Sequence, residues 1–200
     1  PAQRLHWEGR FCCHFIDVVE GITRDVFMAG RPRAVRVVEL GMRMGATGLH
    51  LLSRYAWVRY VGVDNLGEVG RSTEEGEELR ARFSTYGSRA RILAPMNTTE
   101  AAQVLQREGL SFDVLVLDAR FDRGGVHADV ATWLRLLPPG GYAISRAGMP
   151  FYWGMLARQR LLLGDMHLCT AVNGFAYYHR VKGGRDRPDD EAEKQAALSR

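Results

Sequence analysis

The chain has little cysteine, almost no lysine and no long apolar run. Its three cysteines are Cys12, Cys13 and Cys169. An odd count with two of them adjacent makes no disulfide framework and points to a reducing, intracellular setting. Cys12, Cys13 and His14 also lack the spaced partners of a motif such as Cys-x-x-Cys, so they read as core residues of a helix and not as metal ligands. No apolar stretch approaches a membrane span, and no membrane partner is expected. No signal-peptide pattern is present. The chain opens at Pro1 and not at Met, which leaves room for a removed presequence and so for the cytoplasm or an organelle such as the mitochondrion. Lysine occurs only at Lys182 and Lys194, so the formal charge of +4 is carried by arginine. Arginine forks suit phosphate and carboxylate groups, but without a dense basic run the plainer reading is a solvated surface.

What is present describes an ordinary soluble core. Two hundred residues, 46% hydrophobic and 25% charged, suit one domain. Phe15, Ile16, Val19, Ile22, Val26 and Phe27 recur at helical spacing within 11–29, and Gly30-Arg31-Pro32 stops that helix. Strands are expected at 34–40, 57–63, 90–93, 112–117 and 142–145. Helices are expected at 47–55, 72–86, 97–108, 128–137 and 151–163. Ser72-Thr73-Glu74-Glu75 and Asn97-Thr98-Thr99-Glu100 are capping-box patterns. Two last strands, 167–172 and 175–181, flank Asn173-Gly174, a strong hairpin signal. Alternating strands and helices imply a mostly parallel sheet with helices on both faces. The organisation is then an N-terminal helical segment at 1–33, an α/β domain at 34–181 and a polar tail at 182–200.

The stretch richest in chemistry is Val35-Arg36-Val37-Val38-Glu39-Leu40-Gly41-Met42-Arg43-Met44-Gly45. A β-branched run ends in an acid, glycines follow, and a helical pattern begins. One βαβ unit later, Tyr60-Val61-Gly62-Val63-Asp64 ends in a second acid. That order suits a nucleoside-bearing cofactor: glycine admits close backbone approach, and the second acid can accept from ribose hydroxyls.

Glu39-Leu40-Gly41…Gly45, Val63-Asp64, Phe112-Asp113-Val114-Leu115-Val116-Leu117-Asp118 and Leu136-Leu137-Pro138-Pro139-Gly140-Gly141 together resemble the class I S-adenosylmethionine-dependent methyltransferases. Within them the chain is most similar to the small-molecule O-methyltransferase branch, over roughly residues 35–181. The resemblance implies a Rossmann-like fold: a seven-stranded, mostly parallel sheet with a C-terminal antiparallel hairpin. It implies S-adenosylmethionine as cofactor and methyl transfer, chiefly to an oxygen of a small molecule. Gly41 and Gly45 would approach the methionine part and Glu39 would face its amino end. Asp64 would hold the ribose, while Met96 and Asn97 would line the adenine; Asn97 also reads simply as a helix cap. Asp118 would sit near the reactive methyl. The branch's histidine after the fourth strand is Phe121 here, and His127 is the candidate substitute, its plainer reading being a solvent-facing helix residue. Metal-dependent members carry a second acid after the fifth strand. This chain has Ser145-Arg146-Ala147-Gly148 there, so no metal is expected.

Two alternatives stay open. One is an inactive methyltransferase-like scaffold in a larger assembly, for instance a ribonucleoprotein, contacted through the arginine-rich surface and the tail. The other is methylation of RNA, which rests on charge alone. The Asn/Asp-Pro-Pro-Tyr/Phe tetrapeptide of base-amino methylation is absent; Asp118-Ala119-Arg120-Phe121 stands in its place. Phe151-Tyr152-Trp153 reads either as a substrate-facing cluster or as helix packing.

Overall fold

A computed structural model describes residues 15–29, 34–66, 73–120, 122–146, 166–172 and 175–180. Five helices and seven strands lie among them. The strands are β1 (Val35–Leu40), β2 (Val58–Val63), β3 (Ala90–Leu93), β4 (Val114–Leu117), β5 (Tyr142–Arg146), β6 (Met166–Val172) and β7 (Phe175–Arg180). The helices are α1 (Phe15–Met28), α2 (Ala46–Arg54), α3 (Thr73–Ser84), α4 (Thr98–Arg107) and α5 (Arg123–Leu136). All seven strands form one sheet in the order β3-β2-β1-β4-β5-β7-β6. β1 pairs in parallel with β2 and β4, β2 with β3, and β4 with β5. β7 runs antiparallel to both β5 and β6.

Strand alternation divides the core into two layers. On one face Val38, Leu40, Val61, Val63, Leu115 and Leu117 meet α4 and α5, with Trp133 fully buried. On the other, Val35, Val37, Val58, Tyr60, Val114 and Val116 meet α1, α2 and α3. The long apolar runs of β1 and β4 are what a parallel sheet covered on both faces requires. α1 belongs to this second layer through Val18, Val19, Ile22 and Val26. Glu20 of α1 joins it to α2, accepting from the hydroxyl of Tyr55 and lying 2.6 Å from Nε2 of His50.

One helix differs from expectation. α5 begins at Arg123 and not at residue 128. Gly124 and Gly125 hide its first turn from a propensity reading. Asp122 starts it nonetheless, its carboxylate accepting from the Gly125 N–H at 2.8 Å. The expected helix 151–163, the Asn173-Gly174 turn, the Phe151-Tyr152-Trp153 cluster, Cys12 and Cys13, and the 182–200 tail lie outside the described residues. No helix among the described residues is long and apolar enough to cross a membrane.

Candidate functional site

The strand order reverses between β1 and β4, and this is where an open α/β sheet offers a crevice at its carboxyl edge. A cleft of about 300 Å³ lies there. Four loops contribute to it: Gly41 after β1, Asp64 and Asn65 after β2, Met96 and Asn97 after β3, and Ala119, Arg120 and Asp122 after β4. Among the described residues, Val63 and Thr98 also line it.

Asp64 ties three of these loops together. Its Oδ2 accepts from the Arg43 N–H at 2.7 Å and its Oδ1 from the Leu66 N–H at 3.0 Å. Its own N–H reaches the carbonyl of Leu93, and its carbonyl accepts from Met96. The carboxylate is thereby fixed in orientation, and each oxygen keeps a second lone pair for a ligand hydroxyl. Arg43 takes a left-handed conformation, φ 50°, in the turn that delivers its N–H to Asp64.

Gly41 sits at the reversal itself. Its φ is 81°. A Cβ there would overlap the carbonyl oxygen of Asp118 and come within 2.6 Å of Ala119 Cα. The loops after β1 and β4 therefore touch backbone to backbone beside the cleft. Gly45 has a different reason to be glycine. Its φ is 73°, and a Cβ would collide with the ring of Phe83. It is buried at the start of α2 and does not line the cleft.

Glu39 is also outside the lining. At 4% exposure it points into the layer beneath α2, where it accepts from the Tyr60 hydroxyl and from Thr47. Burial pushes its carboxyl up to about 7; the two hydroxyls pull down, and the negative charges of Asp118 and Asp64 push up further. Burial, and then the same carboxylate, raise the Tyr60 phenol well above its ordinary value.

Met96 is half-buried and packs on the α4–α5 layer. Asn97 serves both readings made of it. Its side chain accepts from the Glu100 N–H at 2.9 Å, completing a capping box for α4, while the residue also borders the cleft. Asn97→Ala is expected to lower stability by about 1 kcal/mol in urea unfolding, the usual worth of an N-cap.

Asp118 follows β4, half-buried, its N–H bonded to the Leu40 carbonyl at 3.0 Å. It stands next to the cleft wall formed by Ala119 and Arg120. His127 lies exposed on α5 and is not among the residues that line the cleft. Among the described residues, no three of His, Cys, Asp and Glu come together as a cation site. Arg120 and Asp122 line the cleft although the sequence reading passed over them. Arg120's place, two residues beyond an acid-ended strand, was the available signal.

No protein-family model matches the chain. No curated protein matches it either. Solved structures do. An O-methyltransferase family protein from Burkholderia thailandensis superposes with a TM-score of 0.57 at 15% identity, over 86% of this chain and 56% of that one. This chain thus spans little more than half of that protein's length. An O-methyltransferase from Bacillus cereus, solved in complex with S-adenosylhomocysteine, gives 0.56 at 15% identity, over 87% of this chain and 84% of the other. An rRNA methylase from Streptococcus thermophilus gives 0.55 at 10% identity, over 86% and 100%. The chain has the Rossmann-like fold of the class I S-adenosylmethionine-dependent methyltransferases. Its neighbours methylate different kinds of acceptor, so the fold by itself does not choose among them.

Proposed function

We propose that the cleft binds S-adenosylmethionine and that the chain transfers the cofactor's methyl group to an oxygen of a small molecule. The observation that carries this reading is Asp64. A carboxylate at the end of β2, oriented by two backbone N–H groups and facing the crevice at the strand-order reversal, is built to accept from a pair of ribose hydroxyls.

The remaining residues fit the same ligand. Met96 offers polarisable apolar surface to adenine, and the Asn97 amide N–H groups stay available because its oxygen is the atom used in the helix cap. Gly41 keeps the loop after β1 low beside the methionine part. Gly45 preserves the course of that loop by admitting Phe83. Glu39 acts from beneath, shaping the loop through Thr47 and Tyr60 and not by contact from within the cleft lining. When bound, the cofactor supplies a methyl group on a cationic sulfur. Asp118 and Asp64 give its surroundings a negative potential.

Asp118 is the group that orients the acceptor hydroxyl, since the loop carrying it forms the cleft wall. His127, exposed on α5 and outside the cleft lining, is the second candidate for the acceptor's proton. No metal enters this reading, because β5 ends in Ser145 and Arg146, and the family resemblance puts the second acid of metal-dependent members at the end of that strand.

The test is a screen with methyl-labelled cofactor against phenols, catechols, sugars and carboxylic acids, read by mass spectrometry. Label in an ether or ester of a small molecule is the expected result. Label appearing only in RNA or on nitrogen would contradict the acceptor assignment. No transfer to any acceptor, despite cofactor binding, would contradict the enzymatic one.

A further inference from the structure

The amino edge of the sheet, opposite the cleft, carries a charge pattern that the cofactor reading leaves unused. Arg36 of β1 and Arg59 of β2 stand directly opposite each other in register. Their strand neighbours Val35, Val37, Val58 and Tyr60 all face the layer of α1, α2 and α3. Both arginines therefore face the other side, the side of α4 and α5. Arg91 of β3 shares that side and is neutralised there by Glu108, whose Oε1 lies 2.8 Å from its Nη2. Arg36 and Arg59 have no such partner. The Arg36 guanidinium donates to the Ser111 carbonyl, while the Asp113 carboxylate accepts from the Arg36 backbone N–H at 2.8 Å. Arg59 is exposed. Among the described residues neither arginine forms an ion pair. Like charges directly opposite in a sheet repel, so this row favours an anion brought to it from elsewhere.

We propose that the acidic run at 189–193 of this same chain docks on the Arg36–Arg59 row. This goes beyond the cofactor reading and does not depend on it. Two observations choose this occupant. The first is position. β7 runs antiparallel to β5 and so ends at the amino edge. The pairings of His179 with Tyr142, Tyr142 with Val114 and Val114 with Val37 set Arg180 level with Arg36. β7 is three steps from β1 and four from β2, about 14 and 19 Å at the usual strand spacing. Asp189 is nine residues past Arg180, a span of up to about 30 Å. The second is charge. Asp189, Asp190, Glu191 and Glu193 are interrupted only by Ala192, with no arginine or lysine among them. Arginine forks donate to carboxylates bidentately, and both guanidinia can be matched from this run. An RNA backbone would meet the same arginines, but it would have to displace an anion tethered within reach. The pairing thus closes the amino edge to other polyanions.

The experiment uses the scarcity of lysine. Arg59→Lys, in the full chain, is treated with a zero-length carbodiimide, which joins an amine only to a carboxylate in contact with it. Lysine otherwise occurs only at Lys182 and Lys194, so a linkage from position 59 is read without ambiguity by mass spectrometry. The expected product joins position 59 to Asp189, Asp190, Glu191 or Glu193, and it is lost at about 1 M salt. Arg91→Lys is the control, since it must link to Glu108. A control linkage with none from position 59 to the acidic run overturns the proposal. Mixing chains of two isotopic labels separates a chain's own tail from another copy's, and linkage only between differently labelled chains also overturns it. A second measurement compares binding of heparin and of a short RNA by the wild-type chain and by the variant Asp189→Asn, Asp190→Asn, Glu191→Gln, Glu193→Gln. The neutral tail is expected to tighten both by at least about threefold, and Arg59→Gln is expected to remove most of that gain. Equal affinity, or a gain undiminished by Arg59→Gln, overturns the proposal, because the arginine row is then not what the tail covers.

Discussion

Replacing Gly41 by alanine is expected to destabilise the fold by about 4 kcal/mol, from a left-handed conformation that an L side chain tolerates poorly and from overpacking. The second contribution is the larger structural problem. The added methyl meets the backbone of Asp118 and Ala119, which cannot rotate away as a side chain can. Relief requires separating the loops after β1 and β4. Those loops are anchored to the sheet by the Gly41 N–H on Val63 and by the Asp118 N–H on Leu40. The cleft opens between them, so the same variant is expected to lose ligand binding under conditions where it remains folded. Urea unfolding checks the first part. A loss under about 1 kcal/mol would show that the backbone contact is easily relaxed.

Glu39→Gln is expected to stabilise the protein at alkaline pH. In the folded chain the carboxyl is pushed up to about 7, against an ordinary value of 4.5. Between those values the native state holds a proton that the unfolded state has released. The stability linked to this proton is therefore fully present below about pH 4.5 and is lost as pH rises through 7. The whole effect is on the order of 3 kcal/mol. Glutamine keeps an acceptor for Tyr60 and Thr47, stays neutral, and removes the repulsion from Asp118 and Asp64. Unfolding at about pH 5 should find the two proteins similar, while at about pH 8 the glutamine variant should lead by up to 3 kcal/mol. Equal stability at both would mean that Glu39 does not titrate as its burial implies.

Much of the architecture was legible in the sequence because it rests on local pattern. Continuous β-branched runs marked the buried parallel strands, and Asn97 with Glu100 marked the start of α4. Asp64 could be singled out because it follows a strand of an α/β unit, at the carboxyl edge where an open sheet offers its crevice, although an acid there also reads as a helix cap or a surface residue. The glycines were less transparent. Gly41 and Gly45 look alike in sequence, yet one relieves contact with the neighbouring loop and the other makes room for Phe83, thirty-eight positions away. That partner is tertiary and has no local trace. Glu39 was read by its place at the end of β1. Strand alternation puts it in the layer with Val35 and Val37, where Tyr60 receives it. The α5 start was hidden because two glycines outweighed a cap in a propensity reading. Arg120 was hidden because its place at the cleft depends on Gly125 of α5, whose missing side chain leaves it room.

The central claim is that the cleft under Asp64 is a cofactor site, and calorimetric titration of the chain and of Asp64→Ala with S-adenosylhomocysteine tests it most directly. The wild-type chain should bind saturably at one site, and the variant, folded by circular dichroism, should bind at least about tenfold more weakly through loss of charge-assisted hydrogen bonds. A folded wild-type chain that does not bind, or an Asp64→Ala variant that binds as tightly, would contradict it.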